Sequence, residues 1–257
     1  MSVWSCLVNK VRFAVTALAL LAACGQPPAP SSGPARTTLT VFAAASLQPA
    51  FDKIGGKLLS TQNIATTFSY AGTQTLTTQL TQGAPADVFA SADVAHMTTI
   101  QSAGLLHSQS VLFAHNRLEI AVAKGNPKGI HTLADLARSR LVVVLADPSV
   151  PAGKYAAQAL AKAGVTVHPA SLEQQVTGVL SKVTLGEADA GIVYVSDIVP
   201  SGQVDGVLIP DNQNVIADYP IAVLKSAQNQ IGAVAFVDFI LGTEGQSILT
   251  AAGFQGV

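Results

Sequence analysis

Short apolar runs that read as strands give way, one after another, to a turn and then a helical pattern. This alternation decides most of what the chain can fold into. Residues 39–43 read as a strand that continues through Ala44 and Ala45 into Ser46. Ser46 is a good helix cap, and Pro49 falls in the first turn, where its missing N–H costs nothing. That helix reads on to about Leu59. Residues 64–70 alternate and are rich in Thr and aromatic side chains, which predicts a strand. Ala71-Gly72-Thr73 is a turn with Thr73 as the cap of a second helix, Leu76 and Leu80 on its inner face and Gly83 at its end. A short strand over 87–90 and a helix over 95–103, stopped by Gly104, complete a first series.

A second series starts near Arg117. It has strands over 118–123 and 141–145, the latter apolar throughout and so buried on both faces. A short helix over 133–138 is capped by Thr132. Pro151 opens a helix through Ala163 that Gly164 ends. Residues 176–185 read as a helix, Ala190–Tyr194 as a strand, and 207–210 and 218–224 as extended. Two helices, Gln230–Leu241 and Thr243–Ala251, close the chain. Units of this kind build a parallel sheet with helices on its faces. Two successive series predict two lobes, with 218–224 as a strand crossing back to the first. Ligands of open α/β sheets bind at the carboxyl ends of strands, so a cleft between the lobes is where a site belongs.

The N-terminus reads differently. Lys10 and Arg12 precede an apolar run over 13–23 that is too short to span a bilayer and has the form of a signal peptide. It ends in Leu21-Ala22-Ala23-Cys24, which resembles a bacterial lipobox. Residues 1–23 are therefore expected to be removed and Cys24 to be lipidated. Gln26-Pro27-Pro28-Ala29-Pro30-Ser31-Ser32-Gly33-Pro34 makes 24–36 a flexible tether. Processing leaves one cysteine, hence no intrachain disulfide, and a net charge of −3 against −1 for the whole chain. No basic field for nucleic acid remains. The expected location is extracytoplasmic, anchored by lipid to the outer face of the cell membrane.

Little in the chain can do covalent chemistry. His96, His107, His115, His131 and His168 have no metal-like spacing, and Asp87 and Asp93 read as turn and cap residues. There is no G-x-S-x-G, S-x-x-K or H-E-x-x-H motif. Pro151-Ala152-Gly153-Lys154-Tyr155 fails as a phosphate loop, with Pro148 at the first glycine position and Tyr155 where Ser or Thr belongs. What remains is a set of neutral donors at strand-to-helix junctions: Ser46, Thr73, the helix start at Pro151-Ala152-Gly153, the start at Gln175-Val176, and the phenol of Tyr194. Each alone could be a cap, turn or core residue. Together they suit a small oxyanion held by hydrogen bonds and helix termini.

Four segments also carry a family resemblance: TVFAAASL over 40–47, APADVFASAD over 84–93, DPSVPAGKYA over 147–156 and AGIVYVSD over 190–197. In that order they resemble the periplasmic molybdate-binding proteins of ABC importers, the ModA family. The resemblance implies an α/β, two-lobe type II periplasmic-binding-protein fold with two crossing segments. It places lobe 1 at 37–116 plus 217–257 and lobe 2 at 117–216. It implies molybdate or tungstate as ligand, and no cofactor. It puts the ligand hydroxyls on Ser46, Thr73 and Tyr194 and the ligand backbone donors on Ala152 and Val176. The family's second serine is Thr73 here, with Thr75 as a substitute donor if the register differs. A monomer that delivers the ion to a permease with a cytoplasmic ATPase is also implied.

Two other readings stand beside this one. Within the binding class the ligand could be sulfate or phosphate. The porphobilinogen-polymerising transferases share the lobe architecture but need a reactive cysteine, and Cys24 lies outside the fold, so no enzyme is expected. A transcription regulator's sensing domain is disfavoured by the export signal.

Overall fold

A computed structural model describes residues 37–257. The expected signal segment 1–23, the lipidation site Cys24 and the tether 24–36 lie outside the described residues.

The first strand, β1 (Thr37–Ala44), is flanked on both sides by parallel strands, β2 (Ile64–Ala71) and β3 (Val88–Ala90). Helices α1 (Gln48–Gln62), α2 (Thr73–Thr81) and α3 (Val94–Ser102) follow β1, β2 and β3 in turn. The strands of the second series, β5 (Val143–Ala146), β6 (Ser171–Glu173) and β7 (Ala190–Tyr194), are likewise parallel to one another. Helices α4 (Pro151–Lys162), α5 (Val176–Thr184) and α6 (Val195–Ser201) follow them. In both groups a helix follows each strand because the apolar faces of strand and helix can be buried against each other.

Two antiparallel strands join these groups. β4 (Val111–Ala123) pairs through 111–117 with β9 (Ile216–Val223), and through 118–123 with β7 and β8 (Val204–Leu208). β9 in turn pairs with β3. The strand order is β2-β1-β3-β9-β4-β7-β5-β6, with β8 beside β4. The last helices, α7 (Gln230–Leu241) and α8 (Thr243–Ala251), pack back on the first group. Phe236 of α7 meets Phe51 of α1 edge-on at 5.7 Å. A main core runs through both groups, and a smaller one beneath α2 and α3 gathers Phe42, Leu76, Phe89 and Met97.

Several sequence expectations need correction. β4 starts at Val111 rather than 118, because its polar residues His115, Asn116 and Arg117 are held by β9 across the ladder. β6 and α6 were not expected. β6 is three residues long on the sheet edge, and α6 carries Pro200 near its end, which hides it from a helix reading. Of the hydroxyl cap assignments Thr132 holds, at the start of the 3-10 turn Leu133–Ala137, and Ser46 and Thr73 fail. Ser46 lies inside a 3-10 turn, Ala45–Leu47, and α1 begins after Leu47, with Pro49 in its first turn. Thr73 is the first helical residue of α2 and Gly72 holds the cap position. Asp93 does act as a cap, whereas Asp87 serves no local turn and ties β1 to the segment after β9. Asp87 accepts the N–H groups of Thr40 and Gln228 at 2.7 and 2.8 Å, and Asp93 accepts that of His96 at 2.9 Å.

Candidate functional site

The carboxyl ends of β1, β2, β5, β6 and β7 converge, and a small cavity lies where they meet. Its lining is Ala44, Ala45, Ser46, Ala71, Gly72, Thr73, Ala92, Val150, Pro151, Ala152, Val176 and Tyr194, around a cavity of about 10 Å³. All five residues expected to bind a ligand are in that lining, which draws on both strand groups. Thr75 is exposed and outside it, and so is Lys154. No charged side chain contributes.

Small side chains make the backbone reachable. Six of the lining residues are alanine or glycine, and three others, Thr73, Pro151 and Val176, begin helices, so backbone borders the space with little side chain to cover it. α2, α4 and α5 begin at the cap positions Gly72, Val150 and Gln175, and none has a side-chain cap. α3 and α7, by contrast, are capped by Asp93 and Asn229. α1, α6 and α8 also lack a side-chain hydrogen bond at the cap, and α1 and α8 do not border the cavity. A helix leaves its first N–H groups unpaired unless something supplies an acceptor, and the same end carries partial positive charge. Three such ends bordering one small space suit an anion without a formal cation.

The hydroxyls are set to donate. Thr73 Oγ1 accepts the N–H of Ala92 at 3.2 Å, which leaves its proton for another partner. Tyr194 Oη is buried and has no hydrogen-bond partner. The Tyr219 hydroxyl is near enough to influence it but lies outside bonding geometry, and is bonded instead to Ser46 Oγ at 2.9 Å. Burial, more than the neighbouring Tyr219, Tyr155 and Asp197, pushes the Tyr194 phenol well above its ordinary range, so it stays protonated. A buried unpaired hydroxyl costs free energy in the empty protein, which a ligand acceptor would recover.

The sequence reading missed the residues that close this space. Gln74 Nε2 donates to the carbonyl of Gln174 at 2.8 Å, tying α2 to the segment before α5. The Asn116–Tyr219 pair behind Ser46 was also missed, since both lie on the joining strands, far from Ser46 in sequence. One local signal was available: the cap positions of α2, α4 and α5 hold residues that cannot cap well, or cannot cap at all. Among the described residues no group of three or more His, Cys, Asp or Glu side chains is placed to hold a metal ion.

Comparison with known proteins agrees with this geometry. The sequence model of the family described as "Bacterial extracellular solute-binding protein" matches residues 39–255. The molybdate-binding protein ModA of Mycobacterium tuberculosis is 44% identical over 241 residues, covering 91% of this chain and 92% of that protein. Among solved structures, the periplasmic molybdate-binding protein of Azotobacter vinelandii superposes with a TM-score of 0.76 at 21% identity, over 84% of this chain and 98% of that one. The sulfate-binding protein SubI of Mycobacterium tuberculosis superposes with a TM-score of 0.77, also at 21% identity, over 86% and 87%. At that identity both structures speak to the fold, which is that of the periplasmic binding proteins. The family match over 39–255 and the 44% identity across nearly the whole chain establish that this protein belongs to the bacterial extracellular solute-binding proteins, in the ModA family.

Proposed function

We propose that the protein captures molybdate, with tungstate as its close mimic, outside the cytoplasm and delivers it to an ABC importer permease driven by a cytoplasmic ATPase. The observation that carries this reading is a cavity whose polar side chains are three hydroxyls, Ser46, Thr73 and Tyr194, with helix starts beside them and no charged group. The hydroxyls of Ser46, Thr73 and Tyr194 and the N–H groups of Ala152 and Val176 would surround the ion. Each hydrogen bond to a charged group contributes about 1.5–3 kcal/mol, part of which desolvation and ordering offset. The lining offers little to a ligand that must donate. Hydrogen phosphate carries a proton that would find no acceptor, and sulfate is smaller than the space molybdate would fill.

Residues 37–116 plus 217–257 act as one lobe and 117–216 as the other, hinged on β4 and β9. The first lobe would hold the ion through Ser46 and Thr73, and closure would add the donors of α4, α5 and Tyr194. The protein works as a monomer without cofactor or catalytic step, tethered to the membrane through lipid on Cys24. Those four statements rest on the resemblance and the N-terminal sequence.

Isothermal titration with molybdate, then sulfate and phosphate, tests the reading. Tight one-to-one molybdate binding that excess sulfate and phosphate do not displace is expected. Binding of sulfate or phosphate without molybdate would keep the receptor and change its ligand. Tyr194→Phe should weaken molybdate by about tenfold, the worth of one donor. Unchanged affinity would remove Tyr194 from the site. Ser46→Ala should cost more affinity than Lys154→Ala; the reverse order would mean that a cation, not neutral donors, holds the anion.

A further inference from the structure

Behind the cavity, the Ser46 hydroxyl is the end of a chain of buried polar groups. Ser46 Oγ is 2.9 Å from Tyr219 Oη, which lies 3.5 Å, a long contact, from Asn116 Nδ2. The same nitrogen donates to Ser196 Oγ at 2.8 Å. The other end of that amide, Asn116 Oδ1, accepts the N–H of Arg117 at 3.0 Å, and this sets which end faces Tyr219. Ser46, Asn116, Ser196 and Tyr219 are all buried, and of the four only Ser46 lines the cavity. They come from the turn after β1, from β4, from α6 and from β9.

The direction of the chain follows from where protons can go. An amide NH₂ only donates, so Tyr219 accepts from Asn116. Either hydroxyl of the Ser46–Tyr219 pair can donate; with one Tyr219 lone pair already taken by Asn116, the direction that also places the Tyr219 proton runs from Tyr219 to Ser46 Oγ. Ser46, having accepted, turns its proton away from Tyr219 and toward the cavity. We propose that Tyr219, oriented by Asn116, is a positioning residue for anion selectivity: it holds Ser46 as a donor and denies a protonated oxyanion the hydroxyl that could turn to accept its hydrogen. This rests on the oxyanion reading above and adds to it the source of the discrimination.

The ring of Tyr219 packs edge-on against Phe254, Tyr194 and Phe113 at 5.3, 5.9 and 6.3 Å. Phenylalanine there keeps the packing and removes the hydroxyl alone. The test is a double-mutant cycle of Tyr219→Phe and Ser46→Ala, titrated with molybdate and with phosphate at constant pH. Tyr219→Phe is expected to weaken molybdate about tenfold and to lower the ratio of molybdate to phosphate affinity further, because Ser46 becomes free to accept. In the Ser46→Ala background the same change should move neither quantity. Equal effects in both backgrounds, or an unchanged ratio, would show Tyr219 to be a packing residue and overturn the proposal. Should Tyr219→Phe lose cooperative unfolding, Asn116→Ala takes its place, and an effect that survives in Ser46→Ala again overturns it. A wild-type protein that binds sulfate but not molybdate removes the ligand reading while the cycle is run with sulfate. One that binds no oxyanion removes both.

Discussion

Gly72→Ala is expected to lower molybdate affinity by about a hundredfold while the empty protein still folds. A Cβ at position 72 would lie 2.5 Å from the carbonyl oxygen of Gln174 and equally close to the Gln74 amide. The side chain of Gln74 can move, but the Gln174 carbonyl is backbone. The Gly72 backbone is ordinary (φ −58°), so alanine brings no strain of its own and the whole effect comes from the approach. Forcing a methyl into such a contact costs about 1–3 kcal/mol, and the upper end corresponds to a hundredfold in affinity. The contact exists where α2 meets the segment before α5 over the cavity. With the proposed hinge on β4 and β9 the protein would relieve it by staying open, so the penalty would fall on binding rather than on folding. Titration gives the affinity and thermal unfolding of the empty protein gives the stability. Equal losses in both would mean that this contact is part of the static fold and not of closure.

The second large effect concerns pH. Asp197 is buried at the start of α6, and burial pushes its carboxyl up to about 7, although the N–H of Tyr194, donated to it at 2.9 Å, pulls the other way. In the unfolded chain the same group titrates near 3.9. A folded value above the unfolded one means that the native state holds the proton more tightly. Stability from this group is therefore full below about pH 4, is lost as pH rises toward 7, and is level beyond. Three units amount to about 4 kcal/mol over that window. Asp197→Asn keeps a carbonyl to accept from Tyr194 and removes the ionisation. Chemical denaturation should then show the two proteins about equal at pH 4 and the variant more stable at pH 8 by about 4 kcal/mol. Parallel curves would show that Asp197 ionises normally. Its charge also bears on both Tyr194 and Tyr219, so anion affinity in the parent should weaken as pH passes 7, and less so in the variant.

Much of the site could be read from the chain because its parts are local. A strand that ends in Ser46, a turn that leads into Thr73, and small residues at Ala152 are each visible within a few positions. The periodic helices at Gln230–Leu241 and Thr243–Ala251 agree with expectation to the residue. What could not be read depends on partners far away. Ser46 and Thr73 look like caps because hydroxyls next to helix starts usually are. Ser46 instead meets Tyr219, 173 positions on, and Thr73 accepts from Ala92 across the sheet. The polar half of β4 resembles a loop until β9 is laid beside it. Gln74 and Gln174, 100 residues apart, have nothing in their surroundings to mark them as partners.

The uncapped starts of α2, α4 and α5 also bear on how such a receptor can change over time. Aspartate or serine in place of Val150 or Gln175 would be an ordinary way to make the empty protein sturdier, worth about 1 kcal/mol for each cap. Each would also fill the anion's place with an acceptor of the protein's own and, for aspartate, with a like charge. Under selection for uptake these positions should resist the improvement, and an engineer seeking a more heat-tolerant variant should leave them alone. The softness of the empty protein at these three helix ends is the form in which its affinity is stored.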